Sequence, residues 1–194
     1  MLKAATAALM LALVSASAAA EPKTYKLDPD HTTVAFLVDH LGFSRILGHF
    51  IRVEGGFTYD EAAQHLSNLR VTVHTDSVYS AHKARDEHVR NSDFLNTKSY
   101  PEMVFTADGG TPEGPDKGTV TGQLTLLGQT HPLTLDVVLN KSEVYPFGHR
   151  KHTLGLSVRG TVQRSQYGMT YGIAAGMVGD KVDIIIETEA IRQD

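Results

Sequence analysis

The sequence predicts an all-β domain of about eight antiparallel strands, arranged as a sandwich or an up-and-down barrel. Three observations carry this reading. Beyond residue 20 the apolar residues recur with a period of two, as at Val34, Phe36 and Val38 against Ala35, Leu37 and Asp39. Only the stretch at about 81–94 has helical spacing. Strands do not alternate with long helices, which argues against a parallel sheet.

Taken in order, residues 1–20 read as a cleaved signal peptide. Lys3 supplies a positive start, 4–14 is apolar, and 15–20 ends in an Ala-x-Ala pattern before Glu21. The apolar run is too short to span a bilayer, and no cysteine follows it to carry a lipid anchor. Residues 21–194 read as one domain of 174 residues, long enough for a substantial core.

Within that domain, strands are expected at 32–40 and 48–59, the second with a bulge or bend at Gly55-Gly56. A short piece at 25–27 is either a ninth strand or part of the first. A third strand sets Leu69, Val71 and Val73 on one face and Arg70, Thr72 and His74 on the other. The segment at about 81–94 places Asp86 and Arg90 four residues apart on one helix face. Its apolar residues Val89, Phe94 and Leu95 must pack on something, so a helix across an open barrel end is expected, as a lid or as a plug. Strands follow at 102–107, then at 119–127 and 133–139 as a hairpin around Gly128-Gln129-Thr130-His131, and finally at 154–163 and 181–191. The Gly- and Pro-rich stretch 109–116 reads as a solvated hairpin loop.

Composition excludes several function classes. The formal net charge of −4 and the lack of a basic stripe argue against a nucleic-acid partner. The chain has no cysteine, so disulfides, thiol chemistry and thiolate metal sites are ruled out. A transmembrane barrel needs an apolar outer band, whereas Asp39, Arg70, His74, Arg159, Asp183 and Glu187 fall at outward positions. Ser80-Ala81-His82-Lys83 matches S-x-x-K, but the companion elements of a serine enzyme are missing. His149 and His152 have H-x-x-H spacing, which is weak evidence for zinc without a third ligand. No catalytic or metal-binding residue is therefore assigned. His40 shares the inward parity of Val38 and is read as either a core histidine or a donor to a ligand head group. His88 is expected to make a structural hydrogen bond.

Six blocks in order make the chain similar to the YceI family of polyisoprenoid-binding, lipid-binding periplasmic proteins. Asp28, His31-Thr32 and Val34-x-Phe36-x-Val38-x-His40-Leu41-Gly42-x-Ser44 resemble its opening, and Gly48-x-Phe50 with Gly55 the next element. Ser77-Val78, Arg85-Asp86-x-His88, Asp93-Phe94 and Tyr100-Pro101-x-x-x-Phe105 are the most specific part. Val120-x-Gly122-x-Leu124-Thr125-Leu126-x-Gly128-x-Thr130-x-Pro132-x-x-Leu135 resembles its hairpin. Arg164-Ser165-x-Tyr167-Gly168-Met169 and Val178-Gly179-Asp180-x-Val182 resemble its closing segment. Tyr79, Ser80, Val89 and Gln166 depart from the pattern.

The resemblance implies an extended, eight-stranded, lipocalin-like antiparallel β-barrel in the periplasm, often a homodimer and not membrane-spanning. It implies a long-chain ligand (a polyisoprenoid, a quinone-like chain or a fatty amide) bound for transport, storage or sequestration, with no other cofactor. On strand parity, Val34, Phe36, Val38, His40, Phe50, Phe57, Val71, Val73, Phe105, Leu124, Leu126, Leu135 and Val137 are the candidate ligand-binding residues of the barrel interior, lining a cavity or filling a core. Arg85, Asp86, His88 and Phe94 are the candidate residues of the helix or lid. Two other classes stay open: a stress-related interaction module built on the barrel, and a lipid-acting hydrolase or metal-dependent enzyme with His149 and His152 as first suspects.

Overall fold

The computed structural model describes residues 21–194; the expected signal peptide lies outside the described residues. Twelve strands and one α-helix follow in the order β1 (Lys23–Leu27), β2 (Thr33–His40), β3 (Ser44–Phe50), β4 (Val53–Asp60), β5 (His65–His74), β6 (Val78–Tyr79), α1 (Lys83–Arg90), β7 (Glu102–Ala107), β8 (Thr111–Pro112), β9 (Lys117–Leu126), β10 (Gln129–Val144), β11 (His152–Gln163) and β12 (Val178–Arg192). Eight of them, β1-β4-β5-β7-β9-β10-β11-β12, pair antiparallel in that order, and β12 returns to β1, closing a barrel. Closure leaves no free edge on the path β1 to β12.

The first two strands act as one interrupted strand. After the turn Pro29–His31, β2 takes over from β1 beside β12, pairing Val34 with Ile186 where β1 had paired Leu27 with Ala190. β3 runs back along β2 and, after Ile51 and Arg52, continues as β4 along β1. The strand expected at 48–59 is thus the end of β3 and most of β4. The break falls at Ile51-Arg52, where the Arg52 N–H leaves the ladder for Ser77 Oγ at 3.1 Å. The expected irregularity at Gly55-Gly56 is present, with a register shift between Gly56 and Thr58.

Local differences elsewhere have physical causes. The β9–β10 turn is the two-residue Leu127-Gly128, both at positive φ, so β10 begins at Gln129 rather than 133. A tight turn of that backbone matches the twist of the flanking strands, and glycine takes its second position without strain. The expected solvated loop at 109–116 holds the short β8, paired with β9. The helix is confined to Lys83–Arg90, shorter than 81–94: Ala81 sits at φ +60° and the Asn91 backbone is extended. Asp86 and Arg90 do not pair. Asp86 is buried and accepts from the Ser80 N–H (2.8 Å) and hydroxyl (2.5 Å), and Arg90 donates to the carbonyls of Asp76 and Val78.

Side-chain alternation sorts the wall. The outward face carries ion pairs, Arg159 with Glu187 on the neighbouring strand and Arg45 with Asp183 across β2, each at 2.5 Å. Hydrogen bonds from Arg45 and Thr161 hold the Asp183 carboxyl below its usual range, and those from Ser157 and Arg159 do the same for Glu187. That wall is charged where a lipid-facing band would be apolar. Inward, a girdle runs from strand to strand, Val137–Val158–Ile186–Val34–Phe50, each in register with the next. At one end of the barrel, Tyr25, Phe57, Leu154 and Ala190 form a separate packed cluster, with Tyr25 stacked on Phe57 at 5.4 Å.

Candidate functional site: the barrel cavity

The girdle residues are mostly short and branched, and the interior of an eight-stranded barrel is wide enough either to be filled by side chains or to hold one small ligand. A cavity of about 590 Å³ remains along the axis, within the ~300–1,000 Å³ of ordinary ligand pockets. Its wall is almost entirely aliphatic and aromatic.

Every interior residue expected from parity is on this wall. From β2 come Val34, Phe36, Val38 and His40; from β3 and β4, Phe50 and Phe57; from β5, Val71 and Val73; from β7, Phe105; from β9 and β10, Leu124, Leu126, Leu135 and Val137. Two of the rings are set by glycine. The Phe36 ring lies over Gly48, where a Cβ would come within 2.3 Å of it, and the Phe105 ring lies over Gly122 in the same way. His40 is exposed at one mouth of the cavity rather than buried in a core. Parity was equally legible at Leu154, Leu156 and Val158 on β11 and at Val182, Ile184 and Ile186 on β12. These also line the cavity and were missing from the expected set. Met169, Tyr171 and Met177 line it too, from an irregular segment that carries no periodic signal.

The helical segment covers the end of the cavity where β2 meets β3. Arg85, His88, Val89, Phe94 and Leu95 face the cavity; Asp86 does not. Arg85 is held by Ser80, through Nε to Oγ at 2.7 Å and Nη2 to the carbonyl at 2.5 Å. His88 makes the expected structural hydrogen bond, to Asp93 at 2.9 Å, and sets its ring edge-on to Phe94 and Tyr171. Beneath them lies Arg164, only 2% exposed, with its guanidinium over Phe94. Burial lowers its pKa, and Asp180 opposes that effect.

His149 and His152 do not share a site. His149 packs on Tyr145 with tilted rings 4.6 Å apart, while His152 Nε2 meets Ser142 Oγ at 2.8 Å and Glu61 at 3.0 Å. The Ser142 hydroxyl donates to Glu61 at 2.5 Å, so it accepts from His152. A serine nucleophile needs the opposite arrangement, donating to the histidine while an acid holds the far ring nitrogen. Tyr25 also donates to Glu61, at 2.8 Å. Among the described residues, the grouping with the proximity of metal ligands is Asp28, His31 and Glu189, of which only His31 is exposed. Glu189 lies 158 positions beyond His31, outside any spacing rule.

The Glu61 cluster makes a pH prediction. Burial alone would raise the Glu61 carboxyl, but hydrogen bonds from Ser142 and Tyr25, together with His152, hold it below its usual range. A carboxyl lowered by folding stabilises the fold above its unfolded value, about 4.3, and loses that contribution as pH falls through the folded value. Glu61→Gln is expected to cost about 1 kcal/mol at neutral pH, a figure kept small by partial exposure. Urea unfolding from pH 7 downwards should show the variant and parent converge in acid. A gap that stays constant would mean that the carboxylate charge is irrelevant.

A closed antiparallel barrel with an apolar axial cavity defines a class, the small barrels built to take up a hydrophobic ligand. Residues 25–190 match the family model for the YceI-like domain. The chain is 35% identical over 189 residues to protein YceI of Escherichia coli O157:H7, covering 96% of this chain and 94% of that one. It belongs to the YceI family. The YCEI protein of Campylobacter jejuni superposes with a TM-score of 0.73 at 28% identity, over 80% of this chain and 90% of that one. A polyisoprenoid binding domain from Saccharophagus degradans, implicated in plant cell wall breakdown, gives 0.63 at 16% identity, over 87% and 98%. At that identity the likeness extends to the fold. Family, fold and cavity together support a hydrophobic ligand-binding role.

Proposed function

We propose that the protein works in the periplasm and holds one long-chain apolar molecule, a polyisoprenoid, quinone-like chain or fatty amide, without making or breaking a bond. Its service would be transport, storage or sequestration. The observation that carries this is the apolar cavity on the barrel axis. Burying about ten methylene groups there would contribute roughly 8 kcal/mol, against an association cost of at least ~4 kcal/mol. A long chain therefore binds with few polar contacts, and Arg85, His88 and His40 at one end are enough to orient a head group. The assembly expected is a homodimer.

Native mass spectrometry of the protein from periplasm, followed by organic extraction, tests all of this. The expected spectrum shows an adduct that extracts as an isoprenoid, quinone or fatty amide, on a particle of twice the chain mass. A clean apo mass, with no uptake of added long-chain lipid, would reject the binding role and leave the barrel as the scaffold of an interaction module.

A further inference from the structure

The two ends of the cavity are edged by different chemistry. At the end beneath the β4–β5 turn, the lining gives way to Gln64, Thr111, Asp116 and Lys117. At the other, it ends at Asp39 and His40, at Arg85 and His88 of the helical segment, and at Tyr171 and Met177, the last two also exposed to solvent. Beside them stands the tip of the β2–β3 hairpin, with Leu41 48% and Phe43 90% exposed. The Leu41 N–H donates to the Met177 carbonyl at 3.1 Å, fastening the tip to the β11–β12 connection. The apolar lining therefore continues out of the cavity and over this rim.

Leu41 adds an independent sign. Its backbone is left-handed, φ +57°, in a turn where asparagine or glycine would sit with less strain. A large apolar side chain there serves neither the turn nor the core. Exposed apolar surface continuous with a cavity mouth marks an interaction site.

We propose that this rim docks on a phospholipid bilayer, Leu41, Phe43, Tyr171 and Met177 entering the interfacial region. The cavity then opens directly to the acyl phase, and a ligand passes between bilayer and barrel without crossing water. The inference rests on the cavity reading above, and the same reading selects the occupant. A chain that partitions into lipid has to be collected from lipid, and Tyr171 and Met177 belong both to the cavity wall and to the exposed rim.

The chain has no tryptophan, so Phe43→Trp provides a single indole reporter. Phosphatidylcholine vesicles should shift its emission to the blue, and brominated acyl chains should quench it. Phe147→Trp is the control. Phe147 is also exposed (65%) but lies on the β10–β11 connection at the opposite end of the barrel, and its indole should stay unquenched. Separately, a pyrene-labelled fatty amide should load from vesicles about tenfold more slowly into the double variant Leu41→Ser, Phe43→Ser than into the parent, since interfacial binding scales with apolar area. Delivered from ethanol, the same probe should load both equally. If Phe43→Trp is unquenched, or Phe147→Trp is quenched as strongly, the docking surface is disproved, and a protein donor takes its place. If the probe loads by neither route, the cavity reading fails, while the quenching still decides docking.

Discussion

Arg164→Met is expected to lower the stability of the fold by about 3–5 kcal/mol, the cost of leaving several buried carbonyls without their donor. Four of the guanidinium N–H groups are spent on backbone carbonyls: Nε on Gly179 (2.8 Å), Nη1 on Met169 (2.9 Å), and Nη2 on Tyr171 (2.8 Å) and Val178 (2.9 Å). The Met169 and Tyr171 carbonyls belong to the irregular connection between β11 and β12, and those of Val178 and Gly179 to the first two residues of β12, so Arg164 ties the connection to the strand that follows it. Methionine fills much of the same volume but donates nothing, so each carbonyl loses its partner at about 1–3 kcal/mol, offset where water can replace it. Arg164→Lys should recover little, because a single ammonium cannot reach four acceptors fanned around a planar fork. The damage would extend to the cavity, since Met169, Tyr171 and Met177 are wall residues on this connection. Urea unfolding measures it. A loss below about 1 kcal/mol for Arg164→Met would show that the connection is held by something else.

Val158→Phe is expected to leave stability unchanged or raise it, and to weaken uptake of a long-chain lipid by tenfold or more, roughly the loss of two buried methylene sites. Val158 is buried at the middle of the girdle, in register with Val137 and Ile186. In a filled core an added ring forces off-rotamer side chains and costs about 1–3 kcal/mol. Here the ring has the cavity to enter, so it occupies the ligand's space without displacing its neighbours. Thermal or urea unfolding read beside lipid uptake separates the two cases. Destabilisation with uptake unaltered would mean that Val158 fills a core and that the ligand, if any, sits elsewhere.

Much of the barrel was legible because strand alternation is a local property. Thr33–His40 follows from the period of its own side chains, and the inward set from Val34 to Val137 needed only parity. The same rule applied to β11 and β12 would have found Leu156, Val158, Ile184 and Ile186. Where a local pattern did not decide the outcome, a contact outside that pattern did. The strand expected at 48–59 breaks because Ser77 takes the Arg52 N–H, 25 positions away. Asp86 and Arg90 share a helix face without pairing, because the buried carboxylate takes two Ser80 donors and the half-buried Arg90 is spent on the Asp76 and Val78 carbonyls. The H-x-x-H spacing was undone by Glu61 and Ser142, 81 positions apart, which draw His152 away from His149.

By itself, then, the sequence determined the class of the fold, the family and which face of each strand turns inward, since all three are written in short-range alternation and in residues at set offsets. Whether the inward face is a solid core or a cavity was decided only in three dimensions. That outcome depends on how far eight strands stand apart once closed, and on whether valines from opposite walls can meet across the gap. The apolar rim is likewise a product of closure, which sets Leu41 and Phe43 beside Met177, more than a hundred positions away in the chain.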